Sequence, residues 1–244
     1  MPDYRLDIAY DGSEFKGFAR QEGLRTVQGE LESALATVLE TAIETSVAGR
    51  TDSGVHARGQ VVSFRYEGEV DLARLPRSLN GLVGPEVSVH SVSMAPDGFN
   101  ARFSATWRRY RYLIGIGPSG DPLTRAFVWQ VGRGLDVEAM RSAGAAFVGE
   151  HDFSSFCRST EGSSNVRRVT ELTIDEEDGL LRIWVQANAF CHQMVRSVVG
   201  YLYDVGRGFS DGELVGEVIA ARDRGAVATV APPHGLTLWA VGYD

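Results

Sequence analysis

Lysine is almost missing from this chain: of its 24 basic residues only Lys16 is lysine, and the rest are arginine. A GC-rich genome makes that replacement everywhere, so the total says little about function. Cysteine is scarce as well. Cys157 and Cys191 stand far apart without a C-x-x-C partner, which fits a reducing compartment better than a disulfide framework and makes both most simply packing residues. No run of about eighteen apolar residues occurs, so no membrane span is expected. The opening MPDYRLDIAY carries two acids and no basic n-region, from which a cytoplasmic location is expected. His56, His90, His151, His192 and His234 show neither H-E-x-x-H nor a Cys/His knuckle spacing, so no zinc site is expected. Net positive charge is also lacking. A net charge of −8 excludes a protein that coats nucleic acid nonspecifically, since such binding is driven by positive charge.

What is present begins with periodicity. Tyr4, Leu6, Ile8 and Tyr10 alternate as in a strand, closed by Asp11, Gly12 and Ser13. From a capping Thr26, Val27, Leu31, Leu35, Val38 and Leu39 recur at helical spacing. A short run ends near Asp52 with a turn at Ser53 and Gly54. GQVVSFRY then predicts a strand, LARLPRSLNGL a helix broken near Pro76, and VSVHSVSM a strand. The second half repeats the order β-α-β-β-α-β with longer insertions: strand WRRYRYLIGIG, helix VEAMRSAGAAFVG, strands RVTELTID and LRIWVQANAF, helix QMVRSVVGYLYDVG, a further helix over 210–222, and strand LTLWAVGY. Two split β-α-β units in tandem follow, an α+β fold. The extended segment 97–106 is the natural seam, dividing the chain into 1–104 and 105–244, and CRSTEGSSNVRR, 157–168, is expected as a loop.

Three stretches hold groups capable of chemistry. In AGRTDSGVHARGQ, 48–60, Arg50 and Asp52 are two apart, so an extended backbone would send both side chains to one face as an ion pair. An adjacent guanidinium favours the ionised form of a carboxylate, which a nucleophile or base requires. An isolated D-S-G is nonetheless most often a plain turn with a surface salt bridge. In ARFSATWRRYRYLIG, 101–115, alternation puts Tyr110 and Tyr112 on one face and Arg109 and Arg111 on the other. Tyr110 reads as core by period, or as an aromatic that stacks a base beside guanidiniums that hold phosphates. Arg102, Arg108, Arg109 and Arg111 fall in ten residues without an acid. In NAFCHQMVRSVVGYL, 188–202, Arg196 sits at the margin of a buried helical stripe and needs an anion, which is Asp52, a phosphate or, most commonly for such an arginine, a surface Glu.

Taken together and in order, five stretches resemble the TruA family of tRNA pseudouridine synthases: YDGSEFKGFARQ (10–21), AGRTDSGVHARGQVVSF (48–64), FNARFSATWRRYRY (99–112), HDFSSF (151–156) and NAFCHQMVRSVVG (188–200). Phe18 and Ala19 stand where the family usually shows Trp and Gln. The resemblance implies two ferredoxin-like halves sharing a central, mostly antiparallel sheet with a cleft across it, the first half carrying the catalytic aspartate. It implies isomerisation of uridine to pseudouridine at positions 38, 39 and 40 of the tRNA anticodon arm, by a homodimer, with no metal or cofactor. Asp52 matches the catalytic aspartate, and Tyr110 the active-site tyrosine that lies against the base. Arg196 matches an arginine that pairs with the carboxylate, and Arg50 one that fills the space left by the flipped nucleotide. Arg58, Arg102, Arg108, Arg109, Arg111, Arg167 and Arg168 are candidates for RNA contact, solvated surface being the alternative for each. His56 is expected to support its loop, since no step needs an imidazole.

Two rival readings remain to be weighed. D-S-G also occurs in aspartic proteases, but Arg50 beside Asp52 would spoil the proton shared by two such aspartates. A non-catalytic RNA-binding module is the other, and an acid among phosphate-binding arginines tells against it.

Overall fold

A computed structural model describes residues 1–158 and 164–243. The chain forms two compact units, one of Met1–Thr106 with Thr237–Asp244 and one of Trp107–Leu236. Each is α+β, as expected, with mostly antiparallel strand pairing.

In the first unit β1 (Asp3–Tyr10) leads to α1 (Val27–Leu39), β2 (Thr45–Val47), β3 (His56–Arg65), α2 (Leu75–Asn80) and β4 (Val87–Met94). The strands lie in the order β4-β1-β3-β2, the split β-α-β arrangement read from the sequence. Thr26 caps α1 by accepting from Gly29 N at 3.2 Å. Pro76 stands in the first turn of α2 and so starts that helix, where the sequence reading had it break one. The inward residues of β1 and α1, Leu6, Ile8, Leu31 and Leu35, are fully buried. The final strand, β10 (Leu236–Gly242), pairs in parallel with the start of β3, Thr237 opposite His56. Gly59 makes this approach possible. A Cβ there would stand 2.5 Å from the Trp239 carbonyl oxygen.

The second unit holds β5 (Trp107–Gly115), β6 (Trp129–Gln130), α3 (Val137–Ala145), β7 (Gly149–Asp152), β8 (Val166–Glu177), β9 (Leu180–Ala187), α4 (Met194–Gly206) and α5 (Val215–Ala221). Its strands run β5-β9-β8-β7, with β6 alongside β5. Phe147, Phe153, Phe156 and Tyr201 pack edge to face, so the HDFSSF turn plugs the core under α4. The expected loop 157–168 falls partly outside the described residues, and its last three residues belong to β8. The reading of the cysteines is overturned. β8 and β9 form an antiparallel hairpin, so Cys157 before it and Cys191 after it meet. Their Cα atoms are 5.8 Å apart and the sulfurs pair as a disulfide.

Candidate functional site

In the first unit the chain bends at Ala48 and Gly49 after β2, so residues 50–52 are not a strand. The parity that would pair Arg50 with Asp52 is lost, and among the described residues no ion pair joins them. Arg50 is exposed and Asp52 half-buried. Beneath them lies a buried polar lattice. Gln60 Nε2 donates to the Gly49 carbonyl at 2.7 Å and to the Tyr10 hydroxyl at 3.3 Å, and that hydroxyl shares a 2.8 Å hydrogen bond with Thr51 Oγ1. Both neighbours of Arg50 are therefore gripped from below. Phe18 N donates to the Thr51 carbonyl at 3.1 Å, and Val55 N to that of Asp52 at 3.1 Å, which closes the Ser53-Gly54 turn. Burial pushes the Tyr10 hydroxyl up to about 12, so it stays protonated at any physiological pH.

His56 is buried at the start of β3, and its Nδ1 accepts from Gly12 N at 3.0 Å. Asp11 Oδ1 also lies 3.0 Å from Nδ1 but already accepts from Ser13 N and Oγ. The same nitrogen faces both the Gly12 N–H and the Asp11 carboxylate. His56 thus ties the Asp11–Ser13 turn to the strand, the supporting role expected of it.

In the second unit Tyr110 and Tyr112 share the buried face of β5, and Arg109 and Arg111 take the half-exposed one. Tyr110 is 7% exposed, with the half-buried Phe190 ring edge-on to it at 5.0 Å. Tyr112 donates to the Pro232 carbonyl at 2.8 Å, and burial raises its hydroxyl far above its ordinary value. Arg196, in the first turn of α4, donates from Nε to the Ala231 carbonyl at 2.8 Å, and Ala231 N returns a bond to the Arg196 carbonyl at 3.0 Å. One turn on, Gly200 leaves room for the same segment: a Cβ there would stand 2.1 Å from the Thr229 carbonyl oxygen. One turn further, Asp204 accepts from Thr229 Oγ1 at 2.9 Å. Residues 196, 200 and 204 thus meet residues 229–231 from one helix face.

The remaining arginines divide. Arg58 is exposed with its guanidinium 4.3 Å over the Trp239 ring, and Arg102 lies 5.3 Å over Phe103, which is 80% exposed. Arg108 is buried and donates to the Asn188 carbonyl at 2.9 Å. Arg109 meets Glu171 at 2.7 Å and stacks on Trp184 at 4.7 Å. Arg167 donates to the Ser164 and Val166 carbonyls, at 2.8 and 2.6 Å, and burial lowers its affinity for its proton. Arg168 meets Glu150 at 3.1 Å. Arg111 stands on β5 opposite Trp184 of β9. Tyr10, Thr51, Gln60 and Phe190 were missed as site residues. Period two files Tyr10 and Gln60 as ordinary core, and only their hydrogen bonds reveal what they hold. A groove of about 700 Å³ over α1, lined by Arg20, Arg25, Glu30 and Leu82 among others, contains none of the candidate residues. Among the described residues no His, Cys, Asp and Glu side chains cluster as metal ligands, and no helix is long and apolar enough to cross a membrane.

A half-exposed carboxylate on a rigid turn and a tyrosine under an aromatic lid fit several chemistries, and similarity decides among families. A family model described as tRNA pseudouridine synthase matches residues 8–104 and 143–244. The chain belongs to the tRNA pseudouridine synthase family. The matched residues contain four of the five stretches that carried the resemblance, and the start of the other, 99–112. Among the relatives named tRNA pseudouridine synthase A, that of Streptomyces avermitilis is 48% identical over 248 residues, covering 98% of this chain and 87% of its own. That of Bacillus subtilis is 40% identical over 243 residues, covering 98% of each. That of Listeria monocytogenes is 38% identical over 248 residues, covering 100% of each. A chain from the crystal structure of a Cbf5-Nop10-Gar1 complex aligns with 82% of this one and 54% of its own, at 12% identity and a TM-score of 0.34, a likeness too slight to carry an argument. The expected membership of the TruA family of tRNA pseudouridine synthases is borne out.

Proposed function

We propose that the protein isomerises uridine to pseudouridine at positions 38, 39 and 40 of the tRNA anticodon arm, with Asp52 as the reacting carboxylate. The observation that carries this reading is family membership along nearly the whole chain, with Asp52 inside a matched stretch. The local geometry suits it. A reacting carboxylate must be reachable and still, and Asp52 is half-exposed on a turn whose backbone is pinned from below.

The reaction breaks the bond from C1′ to N1, turns the base while it is held, and joins C1′ to C5. Asp52 serves as a nucleophile at C1′ or as a base that takes the 2′ proton to give a glycal. C5 must finally lose its proton, and Tyr110, lying against the base, assists there. Arg196 pairs with the Asp52 carboxylate in this scheme. Arg50 enters the gap left in the stem when the target nucleotide leaves the stack. Recognition falls to phosphate and shape, through those of Arg58, Arg102, Arg108, Arg109, Arg111, Arg167 and Arg168 that reach the RNA. The working unit is a homodimer in the cytoplasm, and the labour is divided, Asp52 coming from the first unit and Tyr110 and Arg196 from the second. No cofactor enters the scheme.

Tritium at uridine C5 in the anticodon arm tests this directly. The wild-type protein releases it to water, and Asp52→Ala abolishes release while tRNA binding changes far less. Binding without release by the wild-type protein, across a panel of tRNAs, would leave a non-catalytic RNA-binding module in its place.

A further inference from the structure

The disulfide between Cys157 and Cys191 joins the core turn 151–156 to the segment that packs on Tyr110 and leads into the helix bearing Arg196. Cys191 directly follows Phe190, whose ring rests edge-on against Tyr110 at 5.0 Å. Its carbonyl accepts from Met194 N at 3.1 Å, at the start of the helix that bears Arg196. Cys157 directly follows Phe156 of the HDFSSF turn, and the next residue, Arg158, donates its N–H to the His192 carbonyl at 3.0 Å. The Cα separation of 5.8 Å is within the span that a disulfide bridges. Exposure is unequal, Cys157 being fully buried and Cys191 half-buried. A small reagent in solution therefore meets Cys191 first.

We infer that Cys157 and Cys191 are a reversible thiol–disulfide pair, a site of redox modification that governs how tightly Phe190 is held over Tyr110. Oxidation by a low-molecular-weight disulfide balances without any other reagent. The Cys191 thiolate attacks one sulfur of the reagent and expels one thiolate. The Cys157 thiolate then attacks the Cys191 sulfur of that mixed disulfide and expels the second. The two protons given up by the cysteines end on the two released thiols, and a dithiol reverses both steps. Bonded sulfurs stand about 2 Å apart and unbonded ones about 3.5 Å or more, so opening the pair gives Cys191 roughly 1.5 Å of freedom relative to Cys157. Phe190, next in the chain, gains freedom with it. The consequence for turnover rests on the function proposed above. There a base must lie against Tyr110, which is 7% exposed under the Phe190 edge, and a tied Phe190 resists giving way. A tRNA-modifying enzyme also works beside a reducing thiol pool, where disulfides that do form are mostly transient and redox-sensing.

The test equilibrates the full chain with oxidised glutathione or with dithiothreitol. Three readouts are taken: thiols counted with N-ethylmaleimide after acid quenching and unfolding, amide hydrogen exchange over residues 189–196, and single-turnover tritium release. The expected results are two reactive thiols after reduction and none after oxidation, slower exchange in the oxidised form, and about tenfold slower release in it with tRNA affinity unchanged. Cys191→Ser should release tritium at the reduced wild-type rate under both conditions, and Cys157→Ala should do the same if the first variant folds poorly. Both thiols remaining reactive after oxidation would overturn the inference. So would a disulfide that forms and leaves exchange and release unaltered. If tritium is released in neither redox form while exchange still differs between them, the pair stands as a modification site and the function proposed above falls.

Discussion

Residues 49–52 and residues 229–231 are held by different means, although side chains take part in both. The first are gripped by side chains, with Gln60 on the Gly49 carbonyl and Tyr10 on Thr51. The second are pressed backbone-first onto α4, where Gly200 clears the way for Thr229 and Arg196 and Ala231 bond each other. A polar grip fixes direction, because each bond has a donor axis. A close backbone approach fixes distance, because the helix surface cannot recede. The difference predicts that the second segment is costly to disturb in stability, and the first in activity.

Gly200→Ala breaks the comparison most strongly. Its new Cβ would overlap the Thr229 carbonyl, with neither backbone free to yield, and should cost about 3 kcal/mol or more. Chemical denaturation would measure it, and a loss below about 1 kcal/mol would mean that segment 229–231 is not seated on α4. Gln60→Leu keeps the volume and removes the donor to Gly49 and Tyr10. Leaving the half-buried Gly49 carbonyl without this donor costs about 1 kcal/mol. The larger effect of Gln60→Leu should fall on turnover, with kcat lowered more than tenfold and tRNA affinity little changed, since a loosened turn misplaces Asp52. Equal losses in kcat and affinity would place Gln60 among ordinary core residues.

The same contrast explains what could be read without coordinates. β4 and α1 were legible because each announces itself locally, β4 by alternation and α1 by a cap followed by helical spacing. The α+β class followed from element order. What escaped was set by distant partners. The Arg50–Asp52 pair assumed an extended chain where Ala48 and Gly49 bend. The meeting of the cysteines depends on a hairpin closing over 34 residues of sequence separation. β7 is four residues long and β6 only two, too short for a period to show. Asp52 itself was legible only through the company of the other stretches. Tyr10 and Gln60 fall at inward positions of their strands by period two, so nothing in their spacing could mark them as supports.

Tyr10 sharpens the comparison through pH. Its folded-state value of about 12 lies above the ordinary 10 because burial disfavours the phenolate. A group raised in the folded state adds its full stability below the unfolded value and loses it as pH climbs through the folded one. Stability should therefore fall between about pH 10 and 12, by about 2–3 kcal/mol from this residue. Tyr10→Phe should flatten that limb while lowering stability at neutral pH by about 1 kcal/mol, the worth of its bond to Thr51. A limb equally steep in the variant would assign it to Tyr112, which burial raises too.

The arginines give the finest distinction. Arg168 already faces Glu150 at 3.1 Å, whereas Arg58 lies on the Trp239 ring, where stacking leaves the edge of the guanidinium able to donate to a phosphate. A phosphate at Arg168 would have to displace a carboxylate, and at Arg58 it would only add to the stack. Replacing Arg58 by Ala should therefore lower the slope of log tRNA affinity against log salt by about one, and replacing Arg168 should leave the slope nearly unchanged. The effect on affinity at a single salt concentration is small, so the slope is the quantity to measure. A reversed result would mean that the RNA exchanges partners with Glu150 on binding, and that the stacked arginine of the first unit faces solvent in the complex.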